Sequence, residues 1–207
     1  MSESTEVTLQ EIERMNEESL DKLATDIELL SQHLTVPEEA LELFVGNIKG
    51  VRMLDVGCGW ASYVERFIEH GLEYTGIDLS SKMIAASRKK QPQLRFEQMS
   101  FRNLLFDDAS FDGVWCSCVL YHEPKNNVPT VLREFKRVLI SGGIITVVMP
   151  YTGWSSEDIS ENDDGIKLYM ATYEVDEFVD LMASAGFIVE NAILRLEAGS
   201  LYVLART

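Results

Sequence analysis

The chain has 207 residues, 46% hydrophobic and 25% charged, enough for one α/β domain with a full core. Its 34 acidic and 18 basic side chains give a net charge of −16 with no basic stripe, so a polyanionic partner such as nucleic acid is electrostatically opposed. No apolar run approaches the roughly 20 residues of a membrane span, and the acidic opening Met1-Ser-Glu-Ser-Thr-Glu6 lacks a signal-peptide core, so the expected setting is cytoplasmic and away from membranes.

Hydrophobic periodicity predicts the elements in chain order. Residues 19–34 read as a helix, with Leu20, Leu23, Ile27, Leu30 and Leu34 on one stripe. A second helix begins near Pro37, a favourable first-turn residue, and carries Ala40, Leu41, Phe44 and Val45. Val51, Met53 and Leu54 read as a buried strand running into a glycine turn at Gly57 and Gly59. The helix after that turn has Tyr63, Val64, Phe67 and Ile68 on its apolar face. A strand over 74–77 then ends on Asp78, followed by a helix over 82–90 and a strand over 94–98. The fourth strand spans 113–118, and a helix over 128–139 turns Val131, Leu132, Phe135 and Val138 inward. Residues 144–149 form a near-continuous apolar strand, as expected where both faces are covered. A helix over 173–185 and a hairpin over 187–196 and 201–205 close the chain. This βα alternation predicts an α/β fold, a doubly wound Rossmann-like sheet, in a single domain over 1–207.

The chemistry begins at Met53-Leu-Asp-Val-Gly-Cys-Gly59. Gly57 and Gly59 allow close approach of backbone to a ligand. Asp78, ending the next strand, accepts hydrogen bonds only, which suits the two hydroxyls of a ribose. A dinucleotide fingerprint would need a third glycine where Ser62 stands, and Asp55 would repel a pyrophosphate. Asp55 suits a cofactor carrying an amino group and a positive sulfur.

The segment resembles the [D/E]-x-G-x-G motif of class I S-adenosylmethionine-dependent methyltransferases, departing at Ala61, where many members carry another glycine. Ser110-Phe-Asp-Gly-Val114 resembles the family's fourth strand, and Val138-Leu-Ile-Ser-Gly-Gly143 the turn into its fifth. With Asp78, these motifs stand in family order over roughly residues 50 to 150. The resemblance implies a seven-stranded sheet of order 3-2-1-4-5-7-6 with strand 7 antiparallel, and S-adenosyl-L-methionine as cofactor. It implies that Asp55, Gly57, Cys58 and Gly59 meet the methionine portion, partly through backbone amides, and that Asp78 holds the ribose. Leu79 and Met83 would wall the adenine, with Ser100 and Phe101 at its amino end, while Cys116 and Ser117 would offer backbone oxygen to the cofactor's amino group.

Three cysteines (Cys58, Cys116, Cys118) cannot all pair, and reduced thiols are the simplest account. Cys116 and Cys118 lack companions for a tetrahedral metal site, so no metal is expected. His122, in Leu120-Tyr-His-Glu123, is the candidate general base, because imidazole titrates near neutrality. Cys116-Ser-Cys-Val119 stands where base-amine and glutamine methyltransferases carry [D/N/S]-P-P-[Y/F/W], which points to a small-molecule acceptor methylated on oxygen or nitrogen.

Charge is uneven along the chain. Residues 1–50 hold twelve acidic and three basic side chains, residues 51–150 eleven and twelve, and residues 151–180 nine and one. In class I relatives the two acidic regions often cover the active site, so the resemblance implies that segments 1–46 and 151–172 cover the acceptor side, with Tyr121, Tyr151, Trp154 and Tyr169 lining it. A cationic or neutral aromatic acceptor would suit such a cover, although a solvated acidic surface is the simpler reading of the charge. Two other functions stay open at this point: a cofactor-binding regulatory or partner protein without its own catalysis, and a nicotinamide-dependent oxidoreductase. The sequence does not specify an oligomeric state.

Overall fold

The computed structural model describes residues 7–25 and 36–207. Helix α1 (Leu9–Leu23) opens on Thr8, whose hydroxyl accepts from the Glu11 amide while the Glu11 carboxylate accepts from the Thr8 amide. This reciprocal cap satisfies two donors that a helix start leaves free. The helix thus begins ten residues before the predicted Ser19 (19 − 9). The reason is its inward face, which buries Ile12 beside the polar Asn16 and Ser19 and so carries little apolar periodicity. Ile27, Leu30 and Leu34 of the predicted stripe lie outside the described residues. Helix α2 (Glu38–Asn47) follows Pro37 as expected and buries Ala40, Leu41 and Phe44.

Strands β1 (Arg52–Val56), β2 (Glu73–Asp78), β3 (Arg95–Gln98), β4 (Phe111–Ser117) and β5 (Leu139–Pro150) alternate with helices α3 (Val64–Glu69), α4 (Ser81–Lys90) and α5 (Val128–Val138). A hairpin of β6 (Ser156–Glu161) and β7 (Lys167–Thr172) precedes α6 (Val175–Ser184), and β8 (Ile188–Arg195) and β9 (Ser200–Arg206) end the chain. The main sheet has the order β3-β2-β1-β4-β5-β9-β8, with β9 antiparallel to both neighbours. This is the expected topology, because among the described residues β6 and β7 pair only with each other and stand outside the sheet. That hairpin was not legible in the sequence: half of its strand residues are exposed, nearly all of them on β6, so that strand carries no apolar alternation.

Two cores cover the sheet's faces. One joins Leu54, Val56 and Val114 to Leu132 and Phe135 of α5 and Phe178 of α6. The other is aromatic, with Phe44, Phe67 and Trp115 in edge contacts at centroid distances of 5.5 to 5.9 Å. Gly113 makes this possible, since a Cβ there would sit 2.8 Å from the Phe44 ring and 2.7 Å from Ile48. Sheet order then fixes the site. β1 pairs with β2 on one side and β4 on the other, so the chain order reverses at β1 and a crevice opens beyond its carboxyl end.

Phe67 is fully buried between Phe44, Tyr74 and Trp115. Phe67→Ala should lower unfolding free energy by about 3–5 kcal/mol, read as a shifted urea midpoint with an unchanged slope.

Candidate functional site

The loop leaving β1 is folded onto β2. The amides of Gly57 and Cys58 both donate to the Ile77 carbonyl, at 2.8 and 2.9 Å, and the Gly59 amide donates to Asp78 Oδ2 at 2.9 Å. The expectation that Gly57 and Gly59 offer amides to a ligand is therefore corrected: those donors are used on Ile77 and Asp78 of β2. Glycine is required here for conformation and space. Gly57 has φ +71° and a Cβ would fall 2.6 Å from Val119, whereas a Cβ on Gly59 would meet no atom within 4 Å. Ala61 adopts the same left-handed region at φ 56°, so the glycine-to-alanine departure leaves the turn intact at a modest strain.

Two carboxylates face the crevice. Asp55 is buried, and its Oδ2 accepts from the Tyr74 hydroxyl at 2.6 Å. Burial pushes its pKa up to about 7, with Asp78 adding repulsion against the Tyr74 hydrogen bond. Asp78 is pushed up to about 6 by burial, against the amide bonds from Ser80 and Gly59 that favour its charged form. Among the described residues no basic side chain forms an ion pair with either acid. Ser117 Oγ, at the end of β4, is buried without a hydrogen-bond partner.

These groups border a cavity of about 220 Å³. Asp55, Gly57, Cys58, Gly59, Asp78 and Met83 line one side; Tyr121 and His122 line another. A smaller space of about 30 Å³ lies beyond Asp78 and Val119, lined by Leu79, Ser100 and Phe101. Gly57, Asp78 and His122 border both. His122 Nδ1 meets the Tyr169 carbonyl at 2.7 Å, which makes Nδ1 the donor and Nε2 the acceptor. Burial pulls the imidazole down to about 4, well below the near-neutral value expected from sequence.

A family model described as a methyltransferase domain matches residues 54–147. The malonyl-[acyl-carrier protein] O-methyltransferase of Erwinia pyrifoliae is 34% identical over 116 residues, covering 55% of this chain and 44% of that protein. The sterol 24-C-methyltransferase of Gibberella zeae is 31% identical over 127 residues, covering 58% and 32%. Residues 54–147, just under half of the chain, thus match a methyltransferase domain, and the chain resembles the class I S-adenosylmethionine-dependent methyltransferases. Among solved structures, the Burkholderia thailandensis 1,6-didemethyltoxoflavin-N1-methyltransferase, with its substrate and S-adenosylhomocysteine bound, superimposes with a TM-score of 0.81 at 19% identity. That likeness, which covers 100% of this chain and 93% of the other, supports the fold. The chain spans less than half the length of the two curated relatives named above.

The methyltransferase cofactor fits this crevice. S-Adenosylmethionine brings an ammonium and a sulfonium, and the crevice offers two buried, uncompensated carboxylates and an orphaned hydroxyl on Ser117. Asp78 keeps acceptor capacity on both oxygens after taking one amide on each.

Several sequence expectations are corrected here. Cys116 does not border either space; it packs in the core between sheet and α5, and the pleat turns Ser117 to the cavity instead, joined there by Cys118, which lies beyond the strand end at φ 55°. Ser100 does border the smaller space, but its hydroxyl donates to Glu13 of α1 at 3.1 Å. Tyr151 and Trp154 line neither space, and Tyr169 takes part through its backbone while its hydroxyl donates outward to Glu157. The residues missed by sequence reasoning include Leu20 and Leu23 of α1, Tyr63, and Leu168 of β7, all on the larger cavity. Leu20 and Leu23 were on the predicted stripe, but nothing marked that stripe as facing a ligand.

Adding a cationic ligand should pull Asp55 and Asp78 back toward ordinary carboxylate values, so binding releases protons. Affinity for S-adenosylmethionine should therefore rise with pH through the window of about 6 to 7 in which the free acids titrate. Calorimetry in buffers of different ionisation enthalpy reads the proton release directly. S-Adenosylhomocysteine, lacking the sulfonium charge, should release fewer protons.

Proposed function

We propose that the protein transfers a methyl group from S-adenosylmethionine to oxygen or nitrogen of a small, mainly apolar acceptor. The observation that carries this reading is one shared cavity. Its cofactor-side wall holds Asp55, Gly57 and Asp78, and its other wall holds Leu20, Leu23, Tyr121 and Leu168 with the His122 imidazole. The relatives' names span carbon, oxygen and nitrogen acceptors and do not choose among them. The lining favours a neutral acceptor over a cationic one. The acidic side chains of β6 (Glu157, Asp158, Glu161) are exposed, and the hairpin contributes Leu168 to the cavity.

Bound S-adenosylmethionine supplies a methyl group on a positive sulfur, open to in-line displacement. The chain's part is alignment, exclusion of water and removal of a proton. Neutral His122 presents Nε2 as an acceptor, and its low basicity suits a late proton transfer: a hydroxyl becomes a strong acid as it gains the methyl group. α1 and the β6–β7 hairpin form the cover, with reduced thiols and a cytoplasmic setting as the matching environment.

Asp78→Ala should weaken both S-adenosylmethionine and S-adenosylhomocysteine by about 2–4 kcal/mol, through lost charge-assisted bonds. Calorimetry showing unaltered affinity would overturn the cofactor placement.

His122→Asn should cut turnover roughly 100-fold while sparing cofactor affinity. In the parent, turnover should persist to about pH 5 and decline as the imidazole charges near its value of about 4; that acidic limb should vanish in the variant. Equal turnover and equal pH dependence would make His122 structural. Hydrogen exchange should show α1 and β6–β7 gaining protection when S-adenosylhomocysteine binds, and equal protection would mark them as fixed cover.

A further inference from the structure

We propose that Asn16 is a positioning residue: it joins seating of α1 and the β6–β7 hairpin to orientation of the His122 imidazole, and this rests on the reading of His122 given above. Three hydrogen bonds close a ring across segments far apart in sequence. Asn16 Nδ2 donates to the His122 carbonyl at 3.1 Å, the Tyr169 amide donates to Asn16 Oδ1 at 3.0 Å, and His122 Nδ1 donates to the Tyr169 carbonyl at 2.7 Å. Asn16 and His122 are 5% and 7% exposed, so water does not substitute freely for any member.

The ring completes a strand edge. β7 pairs with β6 along one side, with Ile159 opposite Tyr169 and Glu161 opposite Lys167. Its other side turns the amides and carbonyls of Lys167 and Tyr169 toward α1. The Ser19 hydroxyl takes both groups of Lys167, at 3.1 and 2.7 Å, Asn16 takes the Tyr169 amide, and His122 takes the Tyr169 carbonyl. Left open under a buried face, those backbone groups would be costly. Only a side chain with a donor and an acceptor in one plane serves both partners of Asn16; a carboxylate would repel the His122 carbonyl, and an apolar residue would satisfy neither.

The consequence falls on the imidazole. The Tyr169 carbonyl belongs to the hairpin, so the tautomer that leaves Nε2 free to accept exists only while β7 is seated. Asn16 holds both the backbone that carries the imidazole and the strand that receives its proton. Other ionisable groups around the imidazole are Tyr121 (ring centroids 4.1 Å apart), Glu123 held by Arg102, Glu13 of α1, Asp78 of β2 and Cys118 after β4. None of them is a hydrogen-bond partner of Asn16, whose bonds go to the His122 carbonyl and the Tyr169 amide. With the ring opened, burial weakens and the imidazole should recover its ordinary basicity.

The test uses the full chain with ¹³C,¹⁵N-labelled histidine and bound S-adenosylhomocysteine. The sequence has three histidines, and His122→Asn assigns the signal. The parent should show one neutral tautomer, protonated on Nδ1, across pH 5–8. Asn16→Ala should show mixed tautomers and a titration within about one unit of the unperturbed value near 6.5, with S-adenosylhomocysteine affinity within about threefold of the parent. Ser19→Ala, which loosens Lys167 but leaves the ring whole, should keep the parental signal. If Asn16→Ala does not fold, Asn16→Ser, too short to reach both partners, is read the same way. A parental tautomer and titration in the Asn16 variant would overturn the proposal, as would an equal shift in Ser19→Ala. Full turnover in His122→Asn would remove the base reading alone, and the titration would still decide the coupling.

Discussion

The carboxylate of Asp78 is the constraint on which this end of the molecule depends. It stands where β2 ends, buried, and holds the Gly59 amide on one oxygen and the Ser80 amide on the other. One side chain thereby sets the glycine loop after β1 and the start of α4. Ser80 extends the chain of contacts: its hydroxyl caps α4 at the Met83 amide and donates to Asp21 of α1. Burying a second acid, Asp55, nearby raises the cost of negative charge in the same crevice. A crevice built this way favours positive charge in a ligand.

The acidic excess of the N-terminal segment has a structural use. Glu13, Glu17 and Asp21 recur every four residues and so share one face of α1. Each meets a donor on the rim of the sheet: Glu13 takes Ser100 and Arg102, Glu17 takes Gln98, and Asp21 takes Ser80 and the Lys82 amide. Arg102 carries the seam onward to Glu123, fully buried after β4. The carboxylates of the 151–180 segment are used differently. Glu177 pairs with Lys125, Glu157 takes the Lys125 amide, and most others of the hairpin face outward. Here solvation is the simpler account.

What was legible in the sequence follows from how each element is held. The seven-stranded sheet and α2 to α6 are held by apolar burial, which leaves a period of two or 3.6 in the residue pattern. The glycine loop and Asp78 were legible because conformation and charge narrow the residue choice. α1 and β6–β7 were not, because polar bonds between Asn16, Ser19 and a strand edge leave no periodic trace. Cys116 was misplaced for a related reason. A strand buried on both faces hides which parity meets the cavity, and only the partner strands settle that Ser117 does. The basicity of His122 was unreadable because burial is set by Asn16 and Tyr169, both distant in sequence.

The two seams differ in what opening them costs. Leu20 and Leu23 of α1 and Leu168 of β7 line the cavity between the two seams. The rim contacts of Glu13, Glu17 and Asp21 range from exposed to part-buried, and the exposed ones are worth at most about 1 kcal/mol each. Along β7 the partners are the buried side chains of Asn16, Ser19 and His122, so parting them leaves backbone groups of Lys167 and Tyr169 unpaired. Parting the rim contacts is therefore the cheaper of the two. While β7 stays seated, its Tyr169 carbonyl keeps the imidazole in one tautomer.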